Sequence, residues 1–242
     1  MWNCRGWSIK TNDNSTFRKK VLEYSYCDIL AICETFLRGN EFLSIDGFRF
    51  YGQNRQNIHS RANRGSGGVS FLIRNELLNL FDVKVIDDDI EGILWLDFES
   101  RMAISDNFCV AVCYLPPSET CNPVDPELFF QSLLRQVYCY QHKGNIIICG
   151  DFNPRIGVHT DYIEGVDQIK HRNVIDVIEN KNGDSLVNFL SDVNYGILNG
   201  RFNDNEFTCV STKGRSVVDY MCVPHEYLDN VKDFKIISMT DI

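Results

Sequence analysis

The chain has 242 residues, a net charge of −9 at pH 7, 44% hydrophobic residues and 24% charged residues. These proportions are ordinary for a globular protein with a full core, and the length allows one large domain or two small ones. The charge excludes a nucleic-acid binder that works by positive charge alone. A nucleic-acid site here would be local and would use metal ions to offset the protein's carboxylates.

The cysteines indicate a reduced, intracellular protein. There are ten of them, with no CxxC pair, and several lie in apolar strand-like runs, where cysteine acts as a small hydrophobe. The first six residues show no apolar signal-peptide core, and no apolar run is long enough to span a bilayer. We therefore expect an intracellular chain that is not secreted and has no membrane partner.

The first half of the chain predicts one surface helix among short buried strands. Residues 17–26 place apolar side chains at helical spacing, with basic residues between them. The glycine-rich stretch Gly65–Gly68 is not a P-loop, because a strand follows it and no Gly-Lys-Ser/Thr does. It predicts tight backbone geometry. The strands are predicted at residues 1–4, 28–33, 47–51, 69–73, 81–86, 93–98 and 108–114.

The second half opens with a clear helix start. Asp125, Pro126 and Glu127 provide an N-cap, a proline at the first position and an acid in the first turn, so a helix is predicted to about His142. After it we predict a strand at 145–149, an irregular segment at 155–182 and a helix at 183–193. Further strands are predicted at 195–198, 207–211, 216–223 and 231–238. The strands at 207–211 and 216–223 are predicted to form a hairpin. No linker or repeat divides the chain, so we expect a single domain, truncated at both ends, over residues 1–242.

Polar side chains stand where several of the buried strands end. Glu34 comes directly after one strand, Tyr114 ends another, and Asp151 and Asn153 follow the strand at 145–149. Residues i and i+2 of an extended chain point to the same side, so Asp151 and Asn153 are predicted to converge. The alternative is that both residues only form a turn. Asp219 lies inside an apolar strand, where an acid is paired, metal-bound or on a solvent face.

The order of these residues resembles the endonuclease/exonuclease/phosphatase superfamily. That order is Trp-Asn near the start, an acid after a strand, Tyr-x-Pro-Pro, Gly-Asp-Phe-Asn and Ser-x-x-Asp-Tyr, and it spans Asn3 to Val223. Four details are most similar to the endonuclease domains of LINE-type (non-LTR) retrotransposons, which precede a reverse transcriptase. They are Trp2-Asn3-Cys4-Arg5-Gly6, Leu198-Asn199-Gly200-Arg201, Phe207-Thr208 and Ser211-Thr212-Lys213-Gly214.

The resemblance implies an α/β fold of the DNase I type, a four-layer α/β sandwich with two mixed, mainly antiparallel β-sheets flanked by helices. It implies phosphodiester hydrolysis with Mg²⁺, or with Mn²⁺ in its place. The substrate implied is duplex DNA, nicked in the nucleus so that its 3′-OH primes reverse transcription. A reverse transcriptase domain in a longer polyprotein is the implied partner.

For the metal and the attacking water, the resemblance implies roles for three residues. The residue matching Glu34 binds the metal, helped by the one matching Asn3, and the residue matching Asp151 orients or deprotonates the water. Carboxylate and amide oxygens suit Mg²⁺, which keeps its remaining water ligands. A carboxylate near the metal can accept a proton from water at neutral pH.

For the phosphate, the resemblance implies roles for Asn153 and Tyr114, which match groups that contact it and can donate hydrogen bonds without adding negative charge. Asp219 matches an acid that orients a histidine. In the family that histidine belongs to an Asp-His pair near the carboxyl terminus, and this chain departs from the pattern. His225 lies too close after the strand of Asp219, and Asp241 is followed by Ile. The chain is either a fragment or a decayed copy, and both predict weak or absent nicking.

Two other functions stay open. One is a different phosphodiesterase of the same fold, acting on a phosphoinositide, an RNA tail or an abasic site, although abasic-site enzymes tend to carry an acid where this chain has Arg5. The other is a remnant that folds and binds without catalysis. Several loop side chains are candidates for phosphate contacts, and the alternative is that they are solvated surface charges. These side chains are Arg55, Arg61, Arg64, Arg155, Lys170, His171 and Arg172.

Overall fold

The computed structural model describes residues 1–7, 15–56, 65–117, 124–202, 206–212 and 214–237. The described chain divides into two compact units, an N-terminal unit over Met1–Tyr114 and a C-terminal unit over Leu115–Ile237. Within the described residues, no helix is both long enough and apolar enough to cross a membrane. Every cysteine in the same part of the chain is a free thiol, as the sequence predicts.

The described residues of the N-terminal unit contain one helix and seven strands. They are β1 (Trp2–Asn3), α1 (Ser15–Ser25), β2 (Ile29–Cys33), β3 (Phe48–Gln53), β4 (Val69–Arg74), β5 (Phe81–Asp87), β6 (Ile93–Ser100) and β7 (Phe108–Tyr114). One sheet has the strand order β1-β2-β4-β3, in which β1 runs parallel to β2 and the other neighbours are antiparallel. Strands β5, β6 and β7 pair antiparallel in that order.

The strands of this unit pack through fully buried side chains, because runs such as Ile93–Leu96 are apolar throughout and bury both faces. Hydrogen bonds also link the sheet of β1–β4 to the strands β5–β7. Cys33 Sγ donates to the Cys113 carbonyl oxygen at 3.3 Å, and the Tyr51 hydroxyl donates to the Val83 carbonyl oxygen at 3.3 Å. The first of these bonds brings the end of β2 close to the end of β7.

In the C-terminal unit the described residues form two helices and five strands. They are α2 (Pro126–Tyr140), β8 (Asn145–Asp151), α3 (Lys181–Val193), β9 (Tyr195–Ile197), β10 (Cys209–Ser211), β11 (Gly214–Ser216) and β12 (Asp219–Pro224). Strand β12 pairs antiparallel with β8 and with β9, and β10 pairs antiparallel with β11. Helix α2 begins as the sequence predicts, with the Asp125 side chain accepting from the Glu127 N–H at 3.0 Å.

Two of the predicted strand arrangements are wrong. The hairpin predicted between 207–211 and 216–223 instead closes between β10 and the short strand β11, and the chain leaves it before β12 begins at Asp219. Residues 231–237 form no strand; four of these seven residues are exposed and none is buried, so neither face is buried enough to hold one. Ser238, the last residue of that predicted strand, lies outside the described residues.

Candidate active site

Glu34 lies at the end of β2 in a turn rather than in an extension of the strand. Its φ is +56°, a left-handed conformation that costs a residue with a side chain about 1 kcal/mol or more. The turn is held by the backbone: the Gly6 N–H donates to the Glu34 carbonyl oxygen at 2.7 Å, and the Trp7 N–H donates to that of Thr35 at 2.7 Å. The direction of the Glu34 side chain is therefore set by the segment that follows β1.

Asn3 lies at the same edge of this sheet. Parallel pairing places Asn3 beside Cys33, the residue before Glu34. The Asn3 side-chain oxygen accepts from the Arg5 N–H at 3.1 Å, which fixes the amide oxygen locally. The two residues predicted to hold a metal thus come from neighbouring strands of one sheet.

Tyr114 and Glu34 are in direct contact. The Tyr114 hydroxyl donates to Glu34 Oε1 at 2.7 Å. The glycine-rich turn lies against Tyr114 and against Thr35, the residue after Glu34: the Thr35 N–H donates to the Gly68 carbonyl oxygen at 3.2 Å, and a Cβ built on Gly67 would lie 3.6 Å from the Tyr114 ring. Gly67 and Gly68 both have a positive φ, so the turn has the tight backbone geometry that the sequence predicts.

In the C-terminal unit, Asp151 and Asp219 lie opposite each other. The register of β8 and β12 pairs these two residues directly, and Asp151 is buried. Residues opposite each other on one face of an antiparallel pair have Cβ atoms about 5 Å apart. The structure therefore brings the predicted water-activating acid beside the acid predicted to orient a histidine.

Asn153 reaches Asp151 by a different geometry from the one predicted. Its φ is +51°, so the chain at this point is not an extended strand. The predicted reason for the convergence, that residues i and i+2 of an extended chain point to the same side, is therefore wrong. The Asn153 N–H donates to Asp151 Oδ1 at 3.0 Å, and its side-chain amide donates to the Leu115 carbonyl oxygen at 2.9 Å. A turn joins the two residues, and it places the amide as well as the acid at the end of β8.

Several candidate phosphate contacts are engaged in ion pairs. Arg55 pairs with Glu91 at 2.7 Å, and Arg155 makes two hydrogen bonds to Asp176, at 3.0 and 2.5 Å. Arg172 is buried against Asp161, with 8% of its side chain exposed, so it is not placed to meet a phosphate. Lys170 and His171 are exposed, whereas Arg61 and Arg64 lie outside the described residues.

A buried ion cluster in the C-terminal unit has no signal in the sequence. Asp161, whose side chain is fully buried, accepts two hydrogen bonds from Arg201, both at 2.9 Å, and a third from the Ile197 N–H at 2.6 Å. Burial raises the pKa of Asp161, but the hydrogen bonds from Arg201 and the charges of Arg172 and Arg201 outweigh it, so the pKa lies below its usual value. The cluster ties the long irregular segment to β9.

No group of three or more His, Cys, Asp or Glu gathers as a metal site in the described part of the chain. A magnesium site does not require one, since this ion is commonly bound through one or two carboxylates and keeps several waters. The oxygen atoms of Glu34 and Asn3 are hard donors of the kind that Mg²⁺ prefers, so the residues present at this edge fit the ion chemically.

Residues 2–229 match the family described as Endonuclease/Exonuclease/phosphatase family. The chain belongs to this family. A solved structure, a variant of the 3′ phosphatase NExo from Neisseria bound to a product DNA hairpin, is similar at a TM-score of 0.61 and 15% identity, over 94% of this chain and 88% of that one. No curated protein matches the chain.

Membership of the endonuclease/exonuclease/phosphatase family, and the likeness of fold, confirm the predicted class: a mixed α/β protein with two mixed sheets flanked by helices. At 15% identity the likeness to the Neisseria structure concerns the fold alone.

Proposed function

We propose that this chain is a Mg²⁺-dependent phosphodiester hydrolase that nicks duplex DNA, the endonuclease domain of a LINE-type (non-LTR) retrotransposon. The observation that carries the proposal is the contact between Glu34 and Tyr114 in a chain of this family. The Glu34 carboxylate and the Tyr114 hydroxyl come from the ends of two different strands and lie 2.7 Å apart. Glu34 is held there in a left-handed backbone conformation that is unfavourable for a residue with a side chain.

The chemistry of the residues supports phosphoryl transfer. Negative charge develops on the phosphate oxygens, so neutral donors such as Tyr114 and Asn153 stabilise it, whereas further carboxylates at that point would not. Asp151 accepts the proton of the attacking water. Glu34 and Asn3 would hold the ion, and a bound Mg²⁺ would supply positive charge to the phosphate oxygens; Mn²⁺ offers the same chemistry.

DNA is the substrate class that the comparisons favour. The similar Neisseria phosphatase was solved with a DNA hairpin product. The LINE-type assignment rests on the four sequence details at residues 2–6, 198–201, 207–208 and 211–214. We propose a reverse transcriptase domain as partner and the nucleus as the place of action, because target-primed synthesis uses the nick as its primer.

A plasmid-nicking assay tests the proposal. Supercoiled DNA is incubated with excess protein with and without added Mg²⁺, and the rate of conversion to open circles is measured. We expect slow Mg²⁺-dependent nicking that falls by about 10²-fold or more in Glu34→Gln and in Asp151→Asn. Glutamine still offers an oxygen to Tyr114, so the first variant removes charge and leaves the contact.

Matched exposed acids serve as controls. Glu23→Gln in the N-terminal unit and Glu127→Gln in the C-terminal unit change the same functional group on exposed side chains and should leave the rate unchanged. Two results contradict the proposal: wild-type protein that gives no Mg²⁺-dependent nicking, or nicking at equal rates in all of these variants.

A further inference from the structure

Strand β12 has a backbone edge that its strand neighbours cover only in part. It pairs with β8 from Asp219 to Cys222, but with β9 only from Cys222 to Pro224. The edge on the β9 side is therefore not paired to β9 at Asp219, the residue whose side chain is predicted to work in the site. Buried backbone groups need hydrogen-bond partners, so something else must satisfy them there.

Thr208 and Asn199 supply these partners. Thr208 Oγ1 accepts from the Val218 N–H at 3.0 Å and from the Asp219 N–H at 3.1 Å. The buried Asn199 donates to the Asp219 carbonyl oxygen at 3.0 Å and accepts from the Met221 N–H at 3.2 Å. Both backbone groups of Asp219 are thus bonded to side chains that take the place of a neighbouring strand.

Asp176 extends the arrangement by one residue and joins it to β8. Its Oδ2 accepts from the Val217 N–H at 2.9 Å and from Arg155 Nε at 3.0 Å. Arg155 follows the turn of Asn153 within two residues, so one buried carboxylate links the chain entering β12 to the chain leaving β8. The backbone bond from the Phe152 N–H to the Val218 carbonyl oxygen, at 3.2 Å, closes the same link.

We propose that Thr208, Asn199 and Asp176 are positioning residues that fix the direction of the Asp219 side chain relative to Asp151. The φ and ψ of a residue set the direction of its Cα–Cβ bond. These three side chains bond to the amides of Val217, Val218, Asp219 and Met221 and to the carbonyl of Asp219, so they hold the backbone on both sides of this residue. The inference gives a physical role to the Leu198-Asn199 and Phe207-Thr208 details of the sequence. It deepens the proposed hydrolase function and rests on it for its consequence on rate.

The test compares Thr208→Val with Thr208→Ser. Valine has the shape of threonine but no acceptor for the two N–H groups, whereas serine keeps the oxygen. In Thr208→Val we expect amide hydrogen exchange at Val218 and Asp219 to be at least tenfold faster, with exchange at Leu133 in α2 unchanged. For nicking, kcat should fall at least tenfold with KM within twofold of wild type, and Thr208→Ser should restore both readouts. Thr212→Val, an exposed threonine near the same hairpin, is the control and should change neither.

Each outcome decides the inference. Wild-type exchange at Val218 and Asp219 in Thr208→Val overturns it, as does a serine variant that behaves like the valine variant. Faster exchange with an unchanged kcat shows that Thr208 holds the strand but does not position the site, which also overturns it. If the wild-type protein does not nick DNA, the proposed function fails, and the exchange data alone decide whether Thr208 fixes the backbone at Asp219.

Discussion

The two units fix their predicted site residues by different means. In the N-terminal unit, main-chain hydrogen bonds hold the site residues. Glu34 accepts from the segment after β1, and the residues after Glu34 donate to the glycine-rich turn. In the C-terminal unit, side chains bond to the backbone around Asp219, and ion pairs hold the neighbouring segments. The first unit should therefore be sensitive to added atoms, and the second to lost polar groups.

The largest effect on stability is expected from Asp161→Ala. It leaves the buried charge of Arg201 without its partner, and removing one member of a buried ion pair costs about 3–5 kcal/mol. The free energy of unfolding in guanidinium measures it. Asp233→Ala breaks an exposed pair with Lys235 and should cost less than about 0.5 kcal/mol. If Asp161→Ala lowers the free energy of unfolding no more than Asp233→Ala does, the C-terminal unit is not held by its buried polar groups and the comparison fails.

The matching test for the N-terminal unit is Gly65→Ala. A Cβ built on Gly65 would lie 2.1 Å from the Phe36 carbonyl oxygen, a backbone atom that cannot turn aside. We expect a loss of about 3 kcal/mol from this overpacking, by the same unfolding measurement. Gly39→Ala has a positive φ of +50° but open space around the Cβ, so it should cost about 1 kcal/mol. Equal losses in the two variants would show that the close approach to Phe36 is unimportant.

The pH dependence of stability gives a smaller, graded test. Burial raises the pKa of Asp176, but hydrogen bonds from Arg155, Val217 and Ile178 outweigh it, so the pKa in the folded state lies below its usual value. Such a group contributes stability that is complete above the unfolded pKa of about 3.9 and is lost as the pH falls through the folded value. The urea midpoint of the wild-type protein should therefore drop between pH 5 and pH 3, and that of Asp176→Asn should drop less. A parallel drop in both proteins would contradict this role of Asp176.

The sequence predicts the elements of this fold better than it predicts how they pair. The runs Ile93–Leu96 and Ile146–Cys149 are apolar throughout, so their strands appear where expected. The partner of the strand at Asp219 could not be predicted, because the chain before it is held by Thr208 and Asp176, whose side chains carry no periodic signal.

The site shows the same limit. Site residues at strand ends can be predicted from the sequence, because a polar residue directly after an apolar run marks the end of a buried strand. The left-handed turns at Glu34 and Asn153, and the ion cluster of Asp161 with Arg172 and Arg201, depend on contacts distant in the sequence. Arg155 and Arg172, candidates for phosphate contacts, could not be told from structural arginines until their acidic partners were located.

Calorimetric titration with Mg²⁺ tests the central claim most directly, because it separates the proposed metal ligand, Glu34, from the proposed water-activating acid, Asp151. We predict that Glu34→Gln weakens Mg²⁺ binding at least tenfold, and that Asp151→Asn changes the affinity less than about threefold, since a primary carboxylate ligand contributes far more than a group that contacts only the water. Equal affinities in wild type and Glu34→Gln, or a larger loss in Asp151→Asn than in Glu34→Gln, would contradict the account.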